Sequence, residues 1–289
     1  MIPPIASRFV AGETATAAVD RAETLAERDV GTILNLLGEH YHDRGPADED
    51  ADAYCDLVDG IVARDARACI SVKPSQIGLD VGADEGERPT PAGRTAFEEN
   101  LGRIVDHAAE RDVFVWIDME DHPTTDATLD AFEALTTDHG GGVGVCVQAN
   151  LQRTREDLRR LADLPGKVRL VKGAYDEPKD IAIKQKAEVD ERYRELLTYM
   201  FESFDDGVAV GSHDPEMIDL ATDLAAEHDT DFEIQMLMGV REDAQFDLAE
   251  DYEVWQYVPY GTKWLSYFYR RAMERKENLL FAARAVLGR

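Results

Sequence analysis

The chain has 289 residues, of which 44% are hydrophobic, and its 31 basic and 59 acidic residues give a formal net charge of −28. This length suits one globular domain with a large core, and the acidic balance argues against binding nucleic acid or an anionic membrane through bulk electrostatics. Three cysteines without CxxC spacing argue against a disulfide framework or a zinc site, and we find no secretory signal and no apolar run long enough to span a membrane.

Eight short apolar runs, rich in β-branched and aromatic residues, predict buried strands. They cover residues 31–38, 68–75, 112–120, 142–150, 167–175, 207–214, 231–237 and 253–261. Helix-like stretches lie at 13–28, 97–111, 125–138, 154–163, 180–204, 215–228 and 262–277. This alternation predicts an α/β fold, a (β/α)8 TIM-type barrel forming one domain over 1–289 with an N-terminal helical addition at 1–30.

The N-terminal helix and two irregular stretches complete the predicted architecture. The helix at 13–28 is rich in alanine and acidic residues, and we expect it to cover the N-terminal ends of the strands. Residues 38–52 and 76–93 are rich in Gly, Pro and Asp. Both follow predicted strands, so we expect loops over the active face of the barrel.

Polar residues stand at the carboxyl ends of most of the predicted strands. In a barrel these ends meet at one mouth, so their side chains should converge there. The residues in question are Lys73, Asp118, Gln148, Lys172, His213, Gln235 and Tyr257. Converging groups of this kind predict an enzyme.

The segment RLVKGAY (169–175) places Arg169 and Lys172 within one predicted strand. Two cations beside the small residues Gly173 and Ala174 suit a phosphate or a developing negative charge, because a ligand can approach the backbone closely there. The alternative is that the two cations pair with carboxylates. The candidate carboxylates are Asp118, Glu120 and Glu233.

Two further clusters have competing interpretations. Asp118, Glu120 and His122 could ligate a metal, but tight His spacing is missing and nearby cations favour charge pairing, so we expect no metal. The last predicted helix carries a polar stripe at helical spacing, and its adjacent arginines could form a double fork for a carboxylate, or the stripe could be a solvated face. The stripe consists of Tyr267, Arg270, Arg271, Glu274 and Asn278.

Taken together, these segments resemble the proline dehydrogenase family, flavin-dependent barrels that oxidise L-proline. The resemblance covers about residues 70–278 and depends on SVKPS, IDMED, VQAN, RLVKGAY, GSHD, FEIQML, YVPYG and YRRAMER occurring in the order of the family. It implies a distorted barrel with the last helix over the mouth and FAD held noncovalently over the strand ends. Residue 176 departs from the pattern, since the family commonly has Trp there and this chain has Asp176; Ser212 and Asp214 replace the common Thr and Asn.

The resemblance also implies roles for individual residues. Lys73, Arg270 and Arg271 would bind the proline carboxylate, and Leu237 and Tyr257 would pack around the pyrrolidine ring. Asp118 corresponds to the active-site aspartate, and Arg169 would lie near the flavin ring. The residues expected to contact FAD are Met119, Gln148, Lys172, Gly173, Ala174, Ser212, His213 and Glu274.

Two other functions stay open from the sequence. The first is a barrel aldolase or lyase with Lys172 as a Schiff-base lysine, and the second is a noncatalytic binding module. If the family resemblance holds, it implies a quinone or another electron acceptor and a separate dehydrogenase for the imine product, since the chain is too short to include one. The charge and cysteine content predict a salt-adapted, cytoplasmic protein, and the apolar segment at 278–289 could touch the inner face of the membrane.

Overall fold

The computed structural model describes residues 6–83 and 89–265. Eight parallel strands close into a barrel in chain order, which confirms the predicted fold class. They are β1 (Val30–Leu36), β2 (Ala68–Val72), β3 (Val115–Ile117), β4 (Val143–Gln148), β5 (Lys167–Val171), β6 (Val208–Gly211), β7 (Phe232–Leu237) and β8 (Glu253–Tyr260). Strand β1 pairs with β8 from Val30–Val254 to Leu36–Tyr260, and this pairing closes the barrel.

Helices on the outside of the barrel connect the strands. They are α1 (Ala15–Ala26), α2 (Arg44–Ala63), α3 (Pro91–Ala109), α4 (Thr125–His139), α5 (Thr154–Leu161), α6 (Lys186–Ser203), α7 (Pro215–His228) and α8 (Glu242–Leu248). Short 3₁₀ turns lie at Ala6–Arg8 and His122–Thr124. The predicted helix at 262–277, and with it the expected placement of a last helix over the mouth, falls almost wholly outside the described residues.

The two faces of the strands bury different side chains. Outward-facing residues such as Ile70, Val145, Leu170 and Ile234 are fully buried and belong to the main apolar core between strands and helices. Inside the barrel a second, small apolar cluster consists of Ile33, Cys69, Trp116 and Ala209. Alternation along each strand therefore separates an apolar outer face from a mixed inner face.

Two glycines make room for tryptophan rings inside the barrel. A Cβ on Gly144 would lie 2.6 Å from the Trp116 ring, and a Cβ on Gly31 would lie 2.6 Å from the Trp255 ring. Any larger residue at either position would displace the ring, so these close approaches explain glycine near the start of two buried strands.

The expected position of the N-terminal helix was wrong. The backbone N–H of Ala11 donates a hydrogen bond of 2.9 Å to the carbonyl of Pro259, near the carboxyl end of β8. From there helix α1 leads to the start of β1. Its twelve residues span about 18 Å. The helix contacts β1, β8 and α2, so it lies along the side of the barrel and does not cover the strand N-termini.

Two helices were missed in the sequence. Residues 44–52, expected within a loop, begin the long helix α2, whose buried face includes Ala47, Ala51 and Tyr54. Gly45, Pro46 and a dense acidic run gave this segment a loop-like composition, but proline is tolerated in the first helical turn and most of the acidic residues face outward. Helix α8 is seven residues long, too short for a clear periodic pattern.

Candidate active site

The mouth of the barrel collects polar residues that directly follow the strands. Most strands end earlier than expected, so Lys73, Asp118 and Lys172 each come just after the last strand residue. Among the predicted residues, Asp118, Arg169, Tyr257 and Gln235 meet in one hydrogen-bonded cluster. The convergence expected from the strand order is thus present for the centre of the site.

Asp118 is the centre of this cluster, with only 9% of its surface exposed. Its Oδ1 accepts a hydrogen bond from the Ser71 hydroxyl at 2.7 Å and another from Arg169 Nη2. Its Oδ2 accepts from the Tyr257 hydroxyl at 2.6 Å. Three donors to one carboxylate fix the plane of the group.

Arg169 is a buried cation, with 5% of its surface exposed, on the inner face of β5. Besides Asp118 it donates to Gln235 Oε1 at 2.9 Å, and its guanidinium lies 5.0 Å from the centre of the Trp116 ring. Burial by itself would lower the pKa of Arg169, but the groups packed against it, Asp118 among them, raise it. The guanidinium is therefore a permanent positive charge beneath the mouth.

Tyr257 places an aromatic ring and a hydroxyl at the edge of the same cluster. Burial, together with the neighbouring Asp118, raises the pKa of Tyr257 well above its ordinary value. The phenol thus stays protonated and acts as a donor to Asp118. Its ring is partly buried and packs against the inner apolar cluster.

Lys73 and Glu120 lie on the neighbouring strand ends. Lys73 Nζ is 3.5 Å from Glu39 Oε2, and 13% of the lysine side chain is exposed. Glu120 is fully buried and accepts hydrogen bonds from the backbone N–H and the hydroxyl of Ser75, both at 2.7 Å. Burial raises the pKa of Glu120, while the Lys73 charge opposes this shift.

The carboxyl ends of β4 and β5 approach each other closely. Gln148 donates to the backbone carbonyl of Glu120 at 2.8 Å. Gly173 has a φ of +104°, and a Cβ there would lie 2.1 Å from the side-chain oxygen of Asn150. Only glycine satisfies both conditions without strain, so the position keeps a bare backbone next to an amide side chain.

Lys172 points away from the central cluster. Its Nζ donates to Asp190 at 2.5 Å and to Asp214 at 2.8 Å, on α6 and at the N-cap of α7. Partial burial would lower the pKa of Lys172, but the hydrogen bonds to the two carboxylates outweigh it and raise the pKa. A Schiff-base lysine needs a lowered pKa, so these contacts argue against Lys172 as a nucleophile.

The loop after β6 contacts the end of β7. His213 Nε2 accepts a hydrogen bond from the backbone N–H of Leu237 at 3.2 Å. The hydroxyl of Ser212 accepts from the backbone N–H of Asp214 at 3.1 Å. Met119 and Ser212 are buried, whereas Ala174 is exposed. These residues surround the mouth, although no direct hydrogen bond joins them to Asp118.

The side chains considered for a metal diverge. Asp118 faces Arg169, Glu120 faces Ser75, and His122 Nδ1 lies 2.7 Å from Glu177 Oε2. Across residues 6–83 and 89–265, no group of three His, Cys, Asp or Glu side chains is arranged to hold a metal ion. Arg270, Arg271 and Glu274, predicted for the same mouth, lie outside the described residues.

A cleft of about 970 Å³ lies at the opposite end of the barrel. It is lined by residues at or next to the strand starts, including Lys167, Val208, Glu233 and Glu253. In barrels of this type catalysis takes place at the carboxyl ends of the strands, so the cleft is not the candidate site.

Three contributors to the central cluster were missed or undervalued in the sequence. Ser71 belongs to the short strand β2 and its hydroxyl reaches Asp118. The sequence predicts Gln235 at the mouth without indicating a role, and it offers Glu233 only as a partner for the strand cations. Two-residue alternation along β7 was the available signal, since it places both residues on the inner face with Leu237.

Comparison with known proteins identifies relatives over nearly the whole chain. A family model described as "Proline dehydrogenase" matches residues 18–284. A proline dehydrogenase of Deinococcus radiodurans is 36% identical over 98% of this chain and 90% of its own length. Proline dehydrogenase 1 of Bacillus subtilis is 34% identical over the same shares of the two chains.

Solved structures show the same fold. A structure of proline utilization A from Bdellovibrio bacteriovorus, inactivated by N-propargylglycine, superposes with a TM-score of 0.82 at 23% identity. A structure described as bifunctional proline utilization A superposes with a TM-score of 0.75 at 22% identity. The two matches include 92% and 96% of this chain, but only 32% of each of the larger chains. At these identities the likeness shows the barrel fold.

Proposed function

The chain belongs to the proline dehydrogenase family, and on this premise we infer that it is an FAD-dependent oxidoreductase that converts L-proline to 1-pyrroline-5-carboxylate, the first step of proline catabolism. The observation that carries this function is the buried cluster of Asp118, Arg169 and Tyr257 at the barrel mouth. It is a fixed arrangement of one anion, one cation and one phenol, with Arg169 and Tyr257 in strands and Asp118 directly after one.

The residues around the mouth fit a flavin by the chemistry of their groups. The side-chain oxygen of Asn150 is buried and has no hydrogen-bond partner among the described residues, next to the bare backbone of Gly173. Arg169 provides a buried positive charge. The residues that we propose to contact FAD are Met119, Gln148, Lys172, Gly173, Ala174, Ser212, His213 and Glu274.

FAD bound there would supply the hydride acceptor. Proline gives up a hydride from a ring carbon next to nitrogen and a proton from the nitrogen, and a cyclic imine remains. Arg169 provides a fixed positive charge that costs no reorganisation during the reaction. Asp118 orients the guanidinium and the Tyr257 phenol through its two oxygens. We propose Asp118 and Arg169 as the catalytic pair in this sense.

Substrate binding needs a cation for the carboxylate and an apolar wall for the ring. Among the described residues, Lys73 is the cation that we propose for the carboxylate, since it follows β2 directly and is largely buried. Leu237 ends β7 and Tyr257 lies opposite it in the strand pairing, which supports our proposal that both side chains pack against the pyrrolidine ring. We propose that Arg270 and Arg271 complete the carboxylate site from outside the described residues.

The partners of the reaction are proposed on chemical grounds. The reduced cofactor needs an acceptor, for which we propose a quinone, and the imine product needs a separate pyrroline-5-carboxylate dehydrogenase. We propose a cytoplasmic protein that contacts the inner face of the membrane peripherally. Among the helices that the structure describes, none is both long and apolar enough to cross a bilayer.

We propose further that residues 1–289 form one catalytic domain adapted to high salt. A net charge of −28 repels itself less when salt screens it. Dialysis into low-salt buffer should therefore lower both activity and thermal stability. Unchanged activity and stability after dialysis would refute the salt adaptation and leave the enzymatic function untouched.

An absorption spectrum of the purified protein in high salt, before and after anaerobic addition of L-proline, tests the main proposal. We expect a flavin spectrum that bleaches with L-proline. A flavin spectrum that ignores proline would reject the substrate. A protein that stays colourless after incubation with FAD would reject the cofactor, and trapping of a keto acid by borohydride would then support the Lys172 lyase.

A further inference from the structure

A line of charged and polar side chains runs through the barrel interior below the active site. Lys167 Nζ donates to Glu233 Oε2 at 2.5 Å, and Glu233 Oε1 accepts from Gln235 Nε2 at 2.5 Å. Gln235 Oε1 in turn accepts from Arg169 Nη1 at 2.9 Å, and Arg169 binds Asp118. The line therefore connects the lower end of the barrel with the central cluster of the mouth.

The direction of every hydrogen bond in this line is determined. A guanidinium has donors and no acceptor, so Gln235 must turn its oxygen toward Arg169. The amide nitrogen of Gln235 then faces the other way and needs an acceptor. Glu233, with 4% of its surface exposed, provides that acceptor inside the barrel. Without it, a buried amide donor would be unpaired, or the amide would flip and present its donors to Arg169.

Glu233 is too far from the mouth to act on substrate. It lies four residues before Leu237, the last residue of β7, which corresponds to about 13 Å along a strand. Its effect on the active site must therefore pass through Gln235. On the proposed function, Arg169 is the residue that this contact would position.

We propose that Glu233 is a positioning residue of this enzyme, because it fixes the amide of Gln235 in the one orientation that holds the guanidinium of Arg169 against Asp118. The inference rests on the proposed function. The competing explanation is that Glu233 only neutralises Lys167 within the barrel. Because Lys167 contacts Glu233 and not Gln235, the two explanations predict different results for paired variants.

The test compares Lys167→Met with the double variant Lys167→Met/Glu233→Leu in holoenzyme. Both variants lack the lysine charge, and the double variant also lacks the Glu233 carboxylate, which removes the acceptor for Gln235 and leaves no lone buried charge. We expect Lys167→Met to keep the wild-type kcat, KM and flavin potential, although the loss of the cation beside buried Glu233 should lower its melting temperature. We expect the double variant to lose about tenfold in kcat, with KM for proline within about twofold, since the carboxylate site is elsewhere.

Two readouts besides turnover separate positioning from general damage. The midpoint potential of the bound flavin should become more negative in the double variant, because a misplaced cation stabilises negative charge on the reduced cofactor less well. The melting temperature and flavin content identify any loss of folding. Lys167→Met/Glu233→Gln should restore both kcat and potential, because an amide oxygen can still accept from Gln235.

Each alternative outcome has a definite meaning. An active wild type together with a double variant of unchanged kcat and potential would overturn the inference alone. Failure of Lys167→Met/Glu233→Gln to restore kcat and potential would mean that the charge of Glu233 acts and not its acceptor, and would overturn the inference. If the double variant does not fold, Gln235→Met, of similar volume, should give the same defects, and normal kinetics there would also overturn the inference. A wild type without flavin or turnover would reject the proposed function itself.

Glu253→Gln is the matched control. Glu253 lies opposite Glu233 in the pairing of β7 with β8, but its side chain binds Arg67 and Trp255. No contact links it to Gln235 or Arg169 among the described residues, so the control should leave kcat and the flavin potential unchanged. A defect equal to that of the double variant would indicate a nonspecific effect of strand-start carboxylates and would overturn the assignment to Glu233.

Discussion

The outer and inner faces of the barrel strands are built from opposite kinds of side chain. On β5, Leu170 faces outward into the continuous apolar core, whereas its neighbour Arg169 faces inward and binds Asp118. Outward burial is nondirectional and contributes stability. Inward burial of charges is favourable only when every group has a partner, so it fixes geometry more than it adds stability. Adjacent residues of one strand thus serve different purposes, since the outward side chain stabilises the fold and the inward side chain belongs to the candidate site.

Substitution of the inner cation should have the largest effect. Arg169→Met leaves Asp118 as a buried carboxylate without its cation, which we expect to lower the free energy of unfolding by about 3–5 kcal/mol and to abolish proline turnover. Urea unfolding monitored by tryptophan fluorescence suits this test because Trp116 contacts Arg169. Wild-type turnover in the variant would disprove the role of the inner face.

The adjacent outer residue should affect stability alone. Leu170→Ala creates a cavity in the main core and should cost about 2–5 kcal/mol of unfolding free energy. The kcat per folded molecule should stay at the wild-type value, because Leu170 contacts the helical layer and not the mouth. A fall in kcat with full flavin content would break the separation between the two faces.

A smaller effect is expected where only one hydrogen bond of the cluster is removed. Tyr257→Phe keeps the ring and loses the donor to Asp118 Oδ2, so kcat should fall by about three- to tenfold, equivalent to a hydrogen bond of about 1 kcal/mol. Steady-state kinetics at saturating proline measure this change. Tyr252→Phe, at an exposed tyrosine near the strand starts, is the control and should be neutral.

The weakest effect is expected outside the barrel, where Asp190 forms ion pairs with Lys172 and Lys186. Burial alone would raise the pKa of Asp190, but hydrogen bonds from Lys172 and Lys186 lower it below its ordinary value of 3.8. A lowered pKa stabilises the fold above pH 3.8, and the contribution is lost as pH falls through the folded-state pKa. Asp190→Asn should therefore cost less than about 1 kcal/mol at pH 7, since Lys186 is exposed and solvent screens the pair.

Thermal unfolding of both proteins between pH 3 and pH 8 checks this dependence. The difference between wild type and Asp190→Asn should be constant near neutrality and shrink below pH 3.8. A difference that grew on acidification would have the wrong sign and would contradict the assigned pKa shift of Asp190.

Much of the candidate site was predictable because strand ends are local features. The eight apolar runs defined the strands, and the order of a parallel barrel placed Asp118 and Tyr257 at one mouth. The sequence alone does not decide whether Arg169 binds a ligand or neutralises a carboxylate such as Asp118. The structure shows the pairing itself, and a side chain can serve both purposes at once.

Other features could not be read from local patterns. Helix α2 has a loop-like composition in its first turns, and its buried face becomes apparent only against α3 and the barrel. The position of α1 depends on a hydrogen bond between Ala11 and Pro259, residues at opposite ends of the chain. The line from Lys167 to Arg169 joins two strands that are not neighbours in sequence.

The sequence by itself determined the eight strands and the alternation of their outer and inner faces. It also determined the family that the motifs of the chain resemble. These follow from short-range periodicity and from residue types at strand ends. Only the tertiary structure decided which inner groups are partners, that Lys172 turns outward to two aspartates, and that Glu233 reaches Arg169 through Gln235. The physical reason is that barrel closure brings distant strands within hydrogen-bond distance, and register across the barrel is a property of the whole sheet.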